Sequence, residues 1–174
     1  LAGVFSVKVG AVSGADAIFA NAELGNADFV CSRTAQTGEL RRMIFDTPAP
    51  LPWLEQFKQR LLARRVARFD ERNWWKWGRR HHVSEAPRIY VNGKTRHATP
   101  FFLNACNNYD GAVLALFPQR ADADLVQLAG LLNEVNWAEL GFVCDGRFLF
   151  SQRSLEQTLL PECFAPFAEG KSKA

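Results

Sequence analysis

The 174-residue chain is 48% hydrophobic and 22% charged, the balance of a folded domain, which excludes a disordered or collagen-like chain. A core of this size needs no disulfide staples. The longest apolar run, Ala112 to Phe117, falls far short of the ~20 residues that cross a bilayer, and residues 1–10 lack the basic and long apolar stretches of a signal peptide. The expectation is a cytoplasmic protein with no membrane partner.

The net charge of +3 is unevenly spread. Residues 58–97 hold 12 Lys/Arg against 3 Asp/Glu, whereas the flanking stretches are net acidic. A block this one-sided repels itself unless a polyanion faces it, and nucleic acid is the obvious polyanion.

In chain order, residues 3–10 alternate as a strand and Val12-Ser13-Gly14 ends it. Asp28 to Ser32 and Glu39 to Phe45 read as two short strands around a turn at Gln36-Thr37-Gly38. The prolines of 47–52 make a rigid connector. Trp53 to Arg65 reads as a helix with Leu54, Phe57, Leu61 and Leu62 on one face. Residues 69–82 have no clean period. Arg88 to Val91 reads as a strand ending at an Asn92-Gly93 turn, and Gly111 to Phe117 as a buried strand. Residues 122–136 form a second helix, capped by Asp122 or Asp124, with Leu125, Leu128, Ala129, Leu132 and Val135 as its stripe. Trp137 to Phe142 reads as a further short helix, Arg147 to Phe150 as a last strand, and a helical turn capped by Ser151 or Ser154 follows. The sum is an α+β fold, a mixed short-stranded sheet with two or three helices, in a single compact domain over 1–170 with a frayed tail at 171–174.

Cys31, Cys106, Cys144 and Cys163 lack metal-ligand spacing and read as reduced thiols. Cys144-Asp145-Gly146 reads as a turn between strands. Asp46 followed by Glu55 and Lys58 is the nearest approach to a small metal-dependent nuclease. The informative stretch is Arg68 to Arg96, where basic side chains alternate with Trp74, Trp75 and Trp77. Lysine and arginine pair with phosphates, arginine also forks onto guanine, and tryptophan can either stack on a base or fill the core. Candidate DNA-binding residues are Arg79, Arg80, His81, Lys94 and Arg96, for phosphate or base contacts, with Arg72 and Lys76 as phosphate partners. With exposed tryptophans, the same stretch would suit a general single-stranded nucleic-acid-binding module.

Val7 to Phe19 resembles the opening of the C-terminal target-recognition domain of adenine-N6 DNA methyltransferases, which has the form G-x-x-[TS]-G-x-[ND]-x-x-F. Gly10, Ser13, Gly14, Asp16 and Phe19 match it. The later parts follow the same order: the aromatic, basic stretch Trp74 to Arg80, the strand and basic turn of 88–96, Phe101-Phe102, the strand of 111–117, and the helix ending Leu131 to Trp137. The resemblance implies a sequence-specific double-stranded DNA recognition module from a bacterial type II restriction–modification enzyme. It implies no catalytic residue and no cofactor or metal in this chain. S-adenosylmethionine and the chemistry would belong to a catalytic methyltransferase domain of the same parent chain. The start at Leu1, with Met43 the only methionine, fits a piece of such a parent. Ser13, Gly14 and Asp16 would then lie at the junction with that domain, or else form a capped turn after a strand.

Overall fold

The computed structural model describes residues 1–168; the expected frayed tail at 171–174 lies outside the described residues. In chain order the elements are β1 (Phe5–Val9), α1 (Asp16–Phe19), β2 (Ala27–Phe29), α2 (Thr34–Thr37), β3 (Arg41–Met43), α3 (Pro52–Glu55), α4 (Lys58–Leu62), β4 (Ile89–Asn92), β5 (Lys94–Thr95), β6 (Phe101–Phe102), β7 (Val113–Pro118), α5 (Leu125–Glu134), β8 (Val143–Cys144), β9 (Arg147–Leu149) and α6 (Gln152–Gln157), followed by a 3-10 helix (Glu162–Phe167). The fold is α+β, as the sequence suggests. The ladders are antiparallel, and parallel pairing is confined to the isolated bridges Ala11–Asp110 and Val30–Tyr109. The extra helices beyond those expected are mostly single turns.

The apolar run of β7 suits it to one of the two inner positions of a four-stranded sheet ordered β1-β7-β4-β6. Successive side chains of a strand face opposite ways, so β7 feeds two cores. Leu114 and Leu116 join Val7, Ile89, Val91 and the α5 residues Leu128 and Leu132 on one face. Val113, Ala115 and Phe117 join Val30, Tyr90 and Tyr109 on the other. Asp124 caps α5 by accepting the Gln127 backbone N–H (3.2 Å). Asn133 of the same helix bonds both the N–H and the carbonyl of Phe101 (2.9 and 3.0 Å), fastening α5 to β6.

A third cluster gathers Phe19, Phe29, Met43, Ile44, Leu54, Leu61, Trp74 and Trp77. The expected helix over 53–65 is two short helices. Phe57 N–H bonds the Leu54 carbonyl (2.9 Å), a tight three-residue turn that interrupts the α pattern. α4 stops where Arg64 turns inward and its Nε takes the Leu61 carbonyl (2.9 Å).

Asn92-Gly93 is no hairpin. β4 continues through Gly93 into β5, which pairs with β9 in a separate sheet ordered β5-β9-β8. Gly93 gives its N–H to Ala112 (2.9 Å) and accepts from Phe150 (2.8 Å), so it is the joint between the sheets. The expected turn at Asp145-Gly146 is present, with both residues at positive φ (53° and 76°), between β8 and β9. Residues 137–142 form turns rather than a helix, because the Phe142 N–H closes back onto the Trp137 carbonyl (2.9 Å) over a buried indole. Among the described residues no helix is long and apolar enough to cross a membrane.

Candidate nucleic-acid interface

The stretch Gly10 to Phe19 is a turn leading into α1, in which Gly10, Ser13, Gly14 and Phe19 are fixed by close packing. A Cβ at Gly10 would lie 1.7 Å from the Asp110 carbonyl oxygen, so only glycine permits this close approach. Ser13 is fully buried; its hydroxyl bonds the Asp16 carboxylate and accepts the Ala15 N–H (3.1 Å). Gly14 sits at φ +80° with Val66 against its α-carbon. Phe19 is fully buried in the core. The capped-turn reading therefore describes Ser13 and Gly14, while Asp16 faces outward and pairs with Arg41 at 3.4 Å.

The basic stretch divides into interior and surface cations. Arg64 is 9% exposed and donates to the carbonyls of Leu61, Ser13, Trp74 and Lys76 at 2.5–2.9 Å, with its guanidinium 3.8 Å from the Phe69 ring centre. Burial pushes its pKa down to about 10, which leaves it charged near neutrality. Arg88 is likewise buried and bonds the Ser84, Ala86 and Asn107 carbonyls. These two arginines hold the fold and are not free to meet a polyanion.

Of the candidate contacts, Arg72, Arg79, Arg80, Lys94 and Arg96 are exposed and Lys76 is half-buried. Lys76 leans over the Trp75 ring and towards the Asp46 carbonyl (3.5 Å). Arg80 is bound by Asp46 at 2.5 Å, so part of its charge is already answered. Arg79 exchanges backbone hydrogen bonds with Val12 (2.9 and 3.0 Å), which ties the basic stretch to the Gly10–Asp16 turn.

His81 is a correction. It is 4% exposed, its ring lies against Phe29, Phe45 and Tyr109, and neither ring nitrogen has a hydrogen-bond partner. Burial, then the charges of Arg88 and His82, hold its pKa below the ordinary value. It is an uncharged core residue, out of reach of a phosphate. His81 follows two exposed arginines in sequence, but the chain turns it inward.

Two of the three tryptophans of this stretch also face inward, and Trp75 is half-buried. Trp74 and Trp77 are 3% and 5% exposed, Trp77 stacks on Phe29 at 5.0 Å, and Trp75 Nε1 donates to the Thr47 carbonyl (2.9 Å). The single-stranded reading loses Trp74 and Trp77 as stacking platforms. Asp46, the carboxylate that suggested a nuclease, accepts the Trp77 N–H with Oδ1 (2.9 Å) and Arg80 with Oδ2. Both oxygens are occupied by the fold.

Three adjoining hollows form a trough that begins at the Gly10–Asp16 turn and runs away from it. The first, about 580 Å³, is walled by Val12, Asp16, Arg41 and Asp110. The second, about 340 Å³, shares Ser32, Gly111 and Ala112 with it and adds Lys94. The third, about 310 Å³, shares Ser32 and Lys94 and is lined by Arg33, Asn92, Arg96 and Arg147. The trough is electrically polarised, with two aspartates and one arginine at one end and four cations at the other. None of those four has an ion-pair partner among the described residues.

No protein-family model and no curated protein matches the chain.

The structure thus brings together Lys94 and Arg96, which the sequence singled out, with Arg33 and Arg147, which it did not. Arg33 stands at the start of α2 and Arg147 just after the Asp145-Gly146 turn. Each is an isolated arginine in its own neighbourhood, and only the pairing of β5 with β9 sets Arg147 beside Lys94 and Arg96. No local spacing could have marked them.

Proposed function

We propose that the chain is the double-stranded DNA target-recognition module of an adenine-N6 methyltransferase of a restriction–modification system. The observation that carries this reading is the cation-lined end of the trough, continuous with the turn whose residues match the family's opening motif. Four unpaired cations in one groove repel each other, and a phosphate backbone relieves that repulsion while releasing its counterions. Phosphate contacts from Arg33, Lys94, Arg96 and Arg147, with Arg79 beside the turn and the surface cations Arg72 and Lys76, fix register, and base-edge contacts read the sequence. Flipping an adenine costs a few kcal/mol, so the partner catalytic domain, which binds S-adenosylmethionine in this reading, needs such an anchor. The inward Trp74 and Trp77 favour duplex over single strand.

The test is affinity for a mixed-sequence duplex against the same single strand at two salt concentrations. Duplex binding should be the tighter and should fall with salt at a log–log slope of about −0.9 per phosphate contacted. Tighter single-strand binding, or no binding by folded protein at low salt, would overturn the reading.

A further inference from the structure

The cleft at the end of the trough is more specific than a basic surface. Its lining contains no carboxylate, and its four cations come from three separate parts of the chain: Arg33 at α2, Lys94 and Arg96 at and after β5, and Arg147 at the start of β9. Asn92 Nδ2 donates to the Ser32 carbonyl at 2.7 Å, which ties the residue next to Arg33 to β4 and holds one wall against the other. Arg96 lies over the Asp145-Gly146 turn, with Nη1 3.6 Å from where a Gly146 Cβ would stand. The Nε–H of Arg147 is shielded from solvent and has no acceptor among the described residues. A buried donor without an acceptor is costly, and the cost is returned when an acceptor arrives.

From these features we infer that the cleft is a phosphate seat, with Arg33, Arg96 and Arg147 as its ligands, Lys94 as a point charge at its mouth and Asn92 as a positioning residue. Arginine's planar fork matches two phosphate oxygens at once, which a lysine cannot do. Arg147 Nε is the cleft's donor without an acceptor, and it forms one edge of that fork. Asp16 and Asp110 at the other end repel an anion and so direct it to this end. Under the duplex reading the phosphate belongs to the DNA backbone. That reading supplies only the owner of the phosphate, since the seat itself stands on the cleft.

The experiment compares the natural chain with Arg33→Gln/Arg147→Gln and with Arg33→Lys/Arg147→Lys, against a short mixed-sequence duplex and against inorganic pyrophosphate. Arg96→Gln, an exposed position, is the companion variant should the double replacement melt. The Gln pair should weaken both ligands by at least about tenfold and reduce the magnitude of the duplex salt slope by about 2. The Lys pair should recover the slope but not the affinity, because charge is restored without the fork. Arg96→Gln should weaken pyrophosphate in the same direction. Duplex binding with a slope unmoved by the Gln pair and by Arg96→Gln would overturn the seat and leave the duplex reading standing. Pyrophosphate binding that the variants abolish, with no duplex binding at all, would keep the seat and overturn the duplex reading. Binding of neither ligand would overturn both.

Discussion

Replacing Arg64 with alanine should destabilise the protein by at least about 4 kcal/mol, read as a fall in the urea midpoint. This guanidinium joins three segments at one buried point; other polar links between them, such as the Arg79–Val12 backbone pair and the Lys58–Glu71 ion pair, lie beyond it. It takes the carbonyl of Leu61 at the end of α4, that of Ser13 in the Gly10–Asp16 turn, and those of Trp74 and Lys76 in the basic stretch. Truncation leaves the carbonyls of Ser13, Trp74 and Lys76 without donors and removes a cation packed against Phe69 and Phe19. Arg64→Lys should recover little of the loss, because one ammonium cannot span four acceptors on three segments. A midpoint close to that of the natural chain would show that the turn and the basic stretch are held by other means. Because Arg79 pairs with Val12 just beyond this junction, the same variant should also disturb the trough wall.

Asp110→Asn should stabilise the protein at pH 8 by up to about 3 kcal/mol. Asp110 is 5% exposed, and Oδ1 accepts the Ala112 N–H at 3.0 Å. Burial is the main cause that pushes its pKa up to about 6; Asp16 adds to the rise, while the Ala112 hydrogen bond and Arg41 oppose it. The folded carboxyl therefore keeps its proton to about pH 6, whereas the unfolded one releases it near 3.8. Stability is greatest below the unfolded value, falls as pH rises through that window, and stays low above it. Asparagine keeps the Oδ1 acceptor and carries no charge, so its advantage should be full at pH 8 and vanish below the unfolded pKa. His81 works in the opposite sense. Its pKa is depressed in the fold, so acidification through the ordinary histidine range favours the unfolded chain. A variant no more stable than the natural chain at pH 8 would refute the assignment of Asp110 as a charge held at a cost.

What was legible in the sequence follows from how local each signal is. The run of β7 and the stripe of α5 are patterns of burial repeated over several residues, and both stand where the sequence put them. Asp145-Gly146 demanded positive φ at two adjacent positions and received it. Asn92-Gly93 carries the same kind of signal, yet the residues that decide its geometry, Ala112 and Phe150, are distant in sequence and turn the glycine into a joint between sheets.

The basic stretch shows the limit more sharply. A count of charges treats Arg64, Arg79, Arg88 and Arg96 alike. Their fates depend on carbonyls and rings supplied by other segments, so two became struts and two remained at the surface. Likewise His81 and the tryptophans are amphipathic groups whose neighbours alone decide which way they face. The cation cleft was half visible, in Lys94 and Arg96. The other half, Arg33 and Arg147, required the strand pairing that no single segment encodes.

The measurement that bears most directly on the central claim is selection of bound duplexes from a pool with a randomised central segment, using the folded chain near physiological salt. A target-recognition module should enrich a short common sequence, and a representative of it should bind more tightly than its scrambled version under the same conditions. Retained duplexes with no shared sequence, or a preference for the denatured pool, would contradict the account and leave the trough as a groove for polyanions without sequence reading.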